Sequence, residues 1–366
     1  MSEENPNAFK LWINADVVKK YFKHTKLSKN EIDKIIKSLN SRELRARVQL
    51  IAEELKKNLS SEYLKALKEL LDIAKKENLN SFELWPATEF IQLYGLNHID
   101  QSIAAMYELT QKFTAEFCIR PFINKYGSEI YNRLDVFKLD ENEHIRRWLS
   151  EGTRPRLPWG QKLQNAVVDP SLGLALLEHL KFDSSLYVRK SVANHLNDIA
   201  KDHPEIVVKT LKRWKKKIPP NFEKEFHFIS SRALRTLIKN GHPEALHFSG
   251  VDVDQKLLKC SVLKVEKAHL KINDRLKFQC KLTNLSTKRV KFIVDYVIYF
   301  KKANAKLSPK VFKFKTGFLN AGEHLILSKQ HHFKMITTRK YYTGEHRLAL
   351  KVNGRELKFI RFDLKV

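Results

Sequence analysis

The sequence lacks several features that mark common protein classes. It has only three cysteines, Cys118, Cys260 and Cys280, which are too few and too unpaired for a disulfide framework. No apolar run approaches the roughly 18 residues that a membrane-spanning helix needs. The first ten residues, MSEENPNAFK, lack the charged and then apolar build of a secretory signal. These absences favour a reducing, cytosolic compartment.

Motifs for cofactor chemistry are also absent. Neither a P-loop nor a dinucleotide fingerprint is present, so nucleotide hydrolysis and redox chemistry lack their phosphate cradle. His324, His331 and His332 form a loose cluster without an accompanying Cys-x-x-Cys or His-x-x-x-His. We therefore expect no cofactor and no metal.

Positive charge is abundant and concentrated in the last third of the chain. The net charge is +27 over 366 residues. Residues 255–366 hold 27 Lys and Arg against 7 Asp and Glu, a net of +20, whereas residues 1–254 hold 41 against 34, a net of +7. Such a field attracts a polyanion by releasing its counterions. Charge alone does not choose among DNA, RNA, an anionic membrane and an acidic protein.

Residues 1–250 have the pattern of helices. Ser28 and Glu31 form a capping box before apolar residues at helical spacing. Pro170, Pro204 and Pro243 each precede an apolar periodic run, as proline in the first turn of a helix does. This part of the chain is predicted to be all-α.

A repeat of 43 residues lies within the helical region. Asp140 and the block His144-Ile145-Arg146-Arg147 align with Asp183 and the block Tyr187-Val188-Arg189-Lys190, and Arg232 follows 43 residues after Arg189. This period is typical of HEAT-type helical pairs, which stack into a solenoid. The arginines of this register either bridge neighbouring repeats through an aspartate or face DNA.

From about residue 255 the period changes from 3.6 to 2. Apolar residues alternate at Phe292, Val294, Tyr296, Ile298 and Phe300, and again between residues 348 and 366. Asn353-Gly354 lies within the second run and is a strong hairpin signal. Several short strands in about 110 residues indicate a β-sandwich or a small barrel, and our prediction for this region is a β-sandwich. The predicted domains are residues 1–250 and 255–366.

The densest stretch of unusual residues lies between residues 82 and 204. It contains FELWPATEFIQLYG (82–95), LTQKFTAEFCIRPFI (109–123), HIRRWLSEGTRPRLPWG (144–160) and SLYVRKSVANHLNDIAKDHP (185–204). These segments closely resemble the AlkC family of bacterial DNA glycosylases. The resemblance continues through FKMITTRKYYTGEHRLALKVNG (333–354), as in AlkC proteins with an immunoglobulin-like C-terminal domain. It implies an all-α HEAT-like solenoid followed by an all-β immunoglobulin-like sandwich.

The resemblance also implies the site. The catalytic carboxylates of the family fall on Glu116 in TAEF, Glu151 in SEGT and Asp198 in NHLND, and its key tryptophan falls on Trp159 in LPWG. The implied reaction is the excision of N-methylated bases, namely 3-methyladenine, 3-methylcytosine or 1-methyladenine. A carboxylate is suited to it because an oxocarbenium-like sugar must be stabilised and a water oriented.

Each of these residues has a structural alternative. Glu116 is also compatible with a solvated or ion-paired glutamate, and Glu151 with an anchor of its loop through Arg154. Asp198 could cap the next turn or pair with Arg189. Trp159 could fill the core between repeats.

Basic residues near these acids are candidates for contacts with DNA phosphates. In the helical region the candidates are Arg120, Arg147, Arg154, Arg156 and Lys190. In the β-domain they are Arg339 and Lys340, within the basic segment Thr337–Tyr342. A second basic segment of that domain includes Lys301, Lys302, Lys306 and Lys310. We expect the β-domain to help hold the DNA.

The sequence thus predicts a monofunctional DNA glycosylase of base excision repair. Its expected partner is double-stranded DNA containing alkylated bases, with no membrane and no obligate protein partner, in the cytoplasm of a bacterium and on its nucleoid. A lysine nucleophile for lyase chemistry is not excluded by the sequence. The alternatives are a non-catalytic HEAT-repeat scaffold that binds nucleic acid or an acidic partner, and an RNA-binding regulator.

Overall fold

The computed structural model describes residues 9–254, 256–336 and 339–366. Residues 1–8, which are most of the segment MSEENPNAFK that was compared with a secretory signal, lie outside the described residues, as do Gln255, Thr337 and Thr338. Among the described residues, no helix combines the length and the apolar content that crossing a bilayer requires.

The first two thirds of the chain are helical. Two 3₁₀ turns, Phe9–Trp12 and Ser81–Leu84, accompany the α-helices. The helices are α1 (Ala15–Phe22), α2 (Lys29–Leu39), α3 (Leu44–Asn58), α4 (Tyr63–Lys76), α5 (Trp85–Tyr94), α6 (Ile99–Thr110), α7 (Ile119–Tyr126), α8 (Ser128–Asp135), α9 (Glu143–Gly152), α10 (Gln164–Val168), α11 (Ser171–Leu180), α12 (Leu186–Ile199), α13 (Pro204–Lys215), α14 (Glu223–Ala233), α15 (Arg235–Asn240) and α16 (Pro243–Phe248).

Local sequence signals define several helix ends. The capping box at Ser28 and Glu31 is formed at the start of α2. Pro204 and Pro243 occupy the first turns of α13 and α16, and Pro170 is the N-cap of α11. These signals work because the first turn leaves main-chain N–H groups without partners inside the helix, and proline has none to lose.

The 43-residue repeat is visible in the contacts. Asp140 accepts the N–H of Asn142 at 2.8 Å, and Asp183 accepts that of Ser185 at the same distance. α9 and α12 begin just after these turns and pack against each other. Stacking of such equivalent helices buries apolar faces that a single helix pair leaves open.

The chain divides into two compact units. One contains residues 1–202 and 218–229, and the other contains residues 203–217 and 230–366. The second unit therefore joins α13, α15 and α16 to all of the strands. Within it, Asn353 Nδ2 donates to the carbonyl of Asp252 at 2.9 Å, and Lys291 Nζ to that of Ser249 at 2.8 Å. The predicted domains, residues 1–250 and 255–366, meet where the helices give way to strands. That these two segments are separate domains stays a prediction.

The C-terminal region is a two-sheet β-structure. Its strands are β1 (Leu258–Cys260), β2 (Lys264–Val265), β3 (His269–Lys271), β4 (Arg275–Asn284), β5 (Val290–Lys301), β6 (Leu307–Leu319), β7 (His324–His332), β8 (Gly344–Val352), β9 (Arg355–Glu356) and β10 (Ile360–Lys365). One sheet joins β1, β2 and β7 to β4, and the other has the order β3-β10-β8-β5-β6 with β9 beside β8.

Alternation along the strands builds the core between the sheets. The five predicted residues of β5, from Phe292 to Phe300, are all buried, together with alternate residues of β4. Asn353-Gly354 connects β8 and β9, and Val352 pairs with Arg355. Both turn residues have positive φ, 45° and 81°, as the predicted two-residue hairpin requires. The fold class predicted from the sequence is confirmed.

Candidate active site

Three acidic residues distant in sequence come together in the first compact unit. Glu116 lies in the turn between α6 and α7, Glu151 in the last turn of α9, and Asp198 in the last turn of α12. All three are buried. Because α9 packs against α12, the equivalent ends of two repeats bring Glu151 and Asp198 to the same place.

Two arginines connect the three carboxylates. Arg147 forms an ion pair with Glu116 and lies 3.8 Å from Glu151. Arg154 lies 2.5 Å from Glu151 Oε1 and 2.8 Å from Asp198 Oδ2. Lys201 pairs with the other oxygen of Asp198 at 2.8 Å. We call these six residues the acid cluster; it holds three carboxylates and three cations, so its formal charges balance.

A buried hydrogen-bond chain fixes Glu151. Ser191 Oγ lies 2.6 Å from Glu151 Oε2 and 2.9 Å from Ser150 Oγ. Since a carboxylate only accepts, Ser191 donates to Glu151 and Ser150 donates to Ser191. His195 Nδ1 lies 3.0 Å from the carbonyl oxygen of Ser150 and so carries the proton. Burial lowers the pKa of His195 to about 4, which keeps the ring neutral.

Glu116 differs from the other two carboxylates. Its Oε2 pairs with Arg147 and accepts a hydrogen bond from Thr114, whereas no hydrogen bond from the described residues reaches its Oε1. Glu151 and Asp198 use both of their oxygens. Burial raises the pKa of Glu116, and the nearby charge of Glu151 adds to this, while the pairing with Arg147 opposes it. Glu116 is therefore the carboxylate with an oxygen free for a ligand.

Trp159 lies in the loop between α9 and α10 and is 66% exposed. Its exposure excludes the alternative that it fills the core between repeats. Its φ of 64° is in the left-handed region, which bulky residues rarely adopt. Arg45 Nη1 donates to its carbonyl oxygen at 2.7 Å and holds this conformation. Backbone strain that the surrounding structure maintains is common at functional sites.

A cavity of about 350 Å³ lies beside Trp159. We call it the Trp159 pocket. Its lining is aromatic and polar, with a cation at one side, and consists of Arg45, Gln92, Phe117, Pro121, Trp159, Gly160 and Gln161. The pocket adjoins the acid cluster along the chain, because Phe117 directly follows Glu116.

The basic residues predicted to contact phosphates fall into different environments. Arg120 is fully buried and donates to the carbonyl of Gly152 at 2.8 Å and to that of Gln161 at 2.5 Å. The structure therefore favours a structural role for Arg120 over the predicted phosphate contact. Arg147 and Arg154 are occupied inside the acid cluster. Arg156 is partly exposed and forms a bidentate pair with Asp202, at 2.7 and 2.9 Å.

Lys190 and the two β-domain candidates are more accessible. Lys190 is exposed on α12, and Lys340 is exposed beside the ring of Tyr342. Arg339 is half-buried, and its guanidinium stacks over Phe300 with 4.3 Å between the guanidinium carbon and the ring centroid. Its exposed part is thus held in place by aromatic packing.

The arginine register joins adjacent repeats. Arg146 of α9 forms a bidentate pair with Asp183, at 2.6 and 3.1 Å. Arg189 of α12 donates to the carbonyls of Asp183 and Ser184, at 2.8 and 2.6 Å. The arginines of the 43-residue register were predicted either to bridge neighbouring repeats or to face DNA. For Arg146 the structure supports the bridge between repeats. These contacts also leave Arg189 apart from Asp198, which pairs with Arg154 and Lys201 instead.

Several residues around the site were missed by the sequence analysis. Tyr187 lies under Arg147, with 4.9 Å between the guanidinium carbon and the ring centroid, and Ser191 and Arg45 make the contacts described above. The YVRKS segment that holds Tyr187 and Ser191 was quoted for its resemblance, but no spacing rule singled out either side chain. In the described part of the chain, no group of three or more His, Cys, Asp or Glu side chains is arranged to hold a metal ion.

Comparisons with known proteins cover both parts of the chain. Residues 259–366 match the family model described as "Uncharacterised protein YhaZ, C-terminal Ig-like domain". The YhaZ protein of Bacillus subtilis is 36% identical over 266 residues, which are 73% of this chain and 72% of YhaZ.

A solved structure matches nearly the whole chain. It is the alkylpurine DNA glycosylase AlkC of Pseudomonas fluorescens bound to DNA with an abasic-site analogue. The match has a TM-score of 0.88 and 33% identity, and it covers 98% of this chain and 100% of that one. This chain therefore belongs to the AlkC family of DNA glycosylases, with an immunoglobulin-like C-terminal domain.

Proposed function

We propose that this protein is a monofunctional DNA glycosylase that releases cationic N-methylated bases from duplex DNA. The substrates are 3-methyladenine, 3-methylcytosine or 1-methyladenine, and the reaction is hydrolysis of the bond between base and deoxyribose. The protein acts in base excision repair in the bacterial cytoplasm, on the nucleoid. The similar glycosylase from Pseudomonas fluorescens was solved with DNA containing an abasic-site analogue, which resembles the product of this reaction.

The acid cluster is the observation that carries this proposal. Three buried carboxylates are costly to desolvate, and the three cations of the cluster offset that cost. A scaffold for DNA would gain the ion pairs between α9 and α12, but it has no use for a carboxylate oxygen kept for a ligand, because phosphates repel carboxylates. A glycosylase needs them, because its transition state carries positive charge on the sugar.

The chemistry follows from the charge of the lesion. A methylated base that is already cationic leaves as a neutral molecule, so it needs little help from a general acid. The electron pair of the broken bond goes to the base, and the sugar becomes oxocarbenium-like. A nearby carboxylate stabilises that charge and accepts a proton from the attacking water.

Glu116 is the residue that we assign to this contact. No hydrogen bond from the described part of the chain reaches its Oε1, while Arg147 pairs with Oε2, so the carboxylate is oriented and keeps one oxygen for a ligand. Glu151 and Asp198 position Arg147 and Arg154. The exposed ring of Trp159 packs against the cationic nucleotide.

Basic residues supply the contacts to phosphates. Lys190, Arg156 and Lys340 have accessible cationic groups, and Arg339 adds a partly exposed guanidinium. The excess of +20 in residues 255–366 favours a contribution from the β-domain to DNA affinity. Lys201 is a poor candidate for a lyase nucleophile because its amino group is held in an ion pair with Asp198.

The test is to identify the bases released from methylated duplex DNA. The native protein is expected to release methylated adenine and cytosine above the spontaneous rate, and the DNA to retain unbroken abasic sites. Glu116→Gln is expected to bind the DNA but release far less base. Tight, salt-sensitive binding without release by the native protein would instead support the non-catalytic scaffold.

A further inference from the structure

The Trp159 pocket has the dimensions of a small-molecule site. Its volume of about 350 Å³ lies within the range of about 300–1,000 Å³ typical of ligand pockets. The acid cluster described above acts on the sugar, and Trp159 is the one residue of the pocket lining that already has a proposed role, against the nucleotide. Its lining combines two aromatic rings with a guanidinium and two amides.

The two rings are suited to a flat ligand. Phe117 stacks on the buried Trp85, with 5.5 Å between centroids and 16° between planes, so its orientation is fixed. Trp159 is exposed, and Arg45 anchors its main chain. Aromatic side chains bind planar heterocycles by stacking.

Gln92 provides a hydrogen-bond acceptor at the polar edge of the pocket. Gln92 Nε2 lies 3.4 Å from Oε1 of Glu89, a buried carboxylate one helical turn earlier on α5. Because a carboxylate only accepts, the amide nitrogen of Gln92 faces Glu89 and its carbonyl oxygen Oε1 is the free end. Among the described residues, that oxygen has no hydrogen-bond partner. An acceptor of this kind matches an exocyclic amino group.

The pocket is connected to the acid cluster through the main chain. Glu116 and Phe117 are consecutive, so one turn presents a side chain to each site. On the other side, Arg120 donates to Gly152, which follows Glu151, and to Gln161 on the pocket wall. The pocket and the acid cluster are therefore joined at two places by neighbouring residues of the chain.

We propose that the Trp159 pocket binds the free methylated base that the reaction releases, and that Gln92 selects bases with an exocyclic amino group. The proposal rests on the proposed function for the source of that base. The base stacks on Phe117 and Trp159, and its amino group donates to Gln92 Oε1. No covalent step occurs in the pocket.

The test is an equilibrium titration of the full chain with 3-methyladenine in the absence of DNA. Stacking on the exposed Trp159 is expected to quench tryptophan fluorescence in a saturable way, and Trp159→Phe is expected to remove that signal. Gln92→Met, of similar size, is expected to weaken binding about fivefold, as the loss of one hydrogen bond does. Gln49→Met, on the exposed face of α3, is the matched control and is expected to bind like the native protein.

A matched ligand makes the result independent of the variants' folding. 3-Methylhypoxanthine carries an oxygen in place of the amino group and is expected to bind the native protein more weakly than 3-methyladenine. Absence of saturable binding, or equal binding of the two bases, would overturn the proposal. Because the titration needs no catalysis, the release of base by the native protein, measured separately, decides the proposed function on its own.

Discussion

Replacing Arg154 by methionine tests how the acid cluster is held together. Arg154 is the residue that contacts both Glu151 and Asp198, and only 7% of its side chain is exposed. Methionine has a similar length and is apolar, so the change removes the charge and leaves little empty space. What remains is two buried carboxylates that have lost their shared cation.

The expected loss of stability follows from this burial. Removing one partner of a buried ion pair leaves an uncompensated charge and typically costs about 3–5 kcal/mol. Lys201 remains beside Asp198, so the lower part of this range applies. The loss is expected to shrink in acid, because protonation relieves carboxylates that lack a counterion. Adding Asp198→Asn to Arg154→Met is expected to restore part of the stability.

Denaturant unfolding monitored by hydrogen exchange in α9 and α12 provides the measurement. The matched control is Arg156→Met, two residues away, because Arg156 also pairs with an aspartate but is 32% exposed. Exposed pairs contribute about 0–1 kcal/mol. An equally small loss for Arg154→Met would refute the reasoning, since the acid cluster would then behave like a surface ion pair.

Three further predictions concern base release and DNA binding. Burial raises the pKa of Glu116, so the rate of base release is expected to fall as the pH drops through a pKa above the usual carboxyl range. Glu116→Gln should abolish this fall in pH profiles of single-turnover release. Ser191→Ala removes a hydrogen bond to Glu151 and should slow base release, measured in single turnovers, without changing DNA affinity, measured by titration. Ser191→Thr keeps the hydroxyl and should retain most activity. Lys190→Ala should reduce the slope of log affinity against log salt by about 0.9 if it neutralises one phosphate, and an unchanged slope in a salt series would exclude the contact.

Buried histidines predict a decline in stability in acid. Burial lowers the pKa of His195 and of His331 to about 4 in the folded protein. The unfolded chain takes up these protons near pH 6.5. The stability contributed by the neutral rings is therefore present above pH 6.5 and lost as pH falls towards 4. Calorimetry between pH 7 and 5 measures this loss, and His195→Gln is expected to reduce its slope.

Local patterns in the sequence were enough for the fold. The capping box at Ser28, the alternation in β5 and the hairpin at Asn353 depend on interactions within a few residues, and each forms where it was predicted. The 43-residue repeat also predicted equivalent positions in α9 and α12. For Arg146 it left two readings open, and the contact with Asp183, 37 residues away, decides between them.

The candidate site was only partly accessible from the sequence. The resemblance of long blocks indicated Glu116, Glu151 and Asp198, and their catalytic roles remain predictions. Arg120 has the sequence context of a phosphate contact, but its partners are main-chain carbonyls, which no residue pattern reveals. The contact of Arg45 with Trp159 spans 114 residues and depends on how the helices stack. Such contacts have no local sequence signal.

The most direct test of the account is single-turnover release of methylated bases from methylated duplex DNA. It compares the native protein with Glu116→Gln and Asp198→Asn, and binding to abasic-site DNA is measured in parallel. The account predicts that release falls steeply in both variants while binding is retained. Release at the native rate by Glu116→Gln, with binding intact, would contradict the central assignment of the carboxylate.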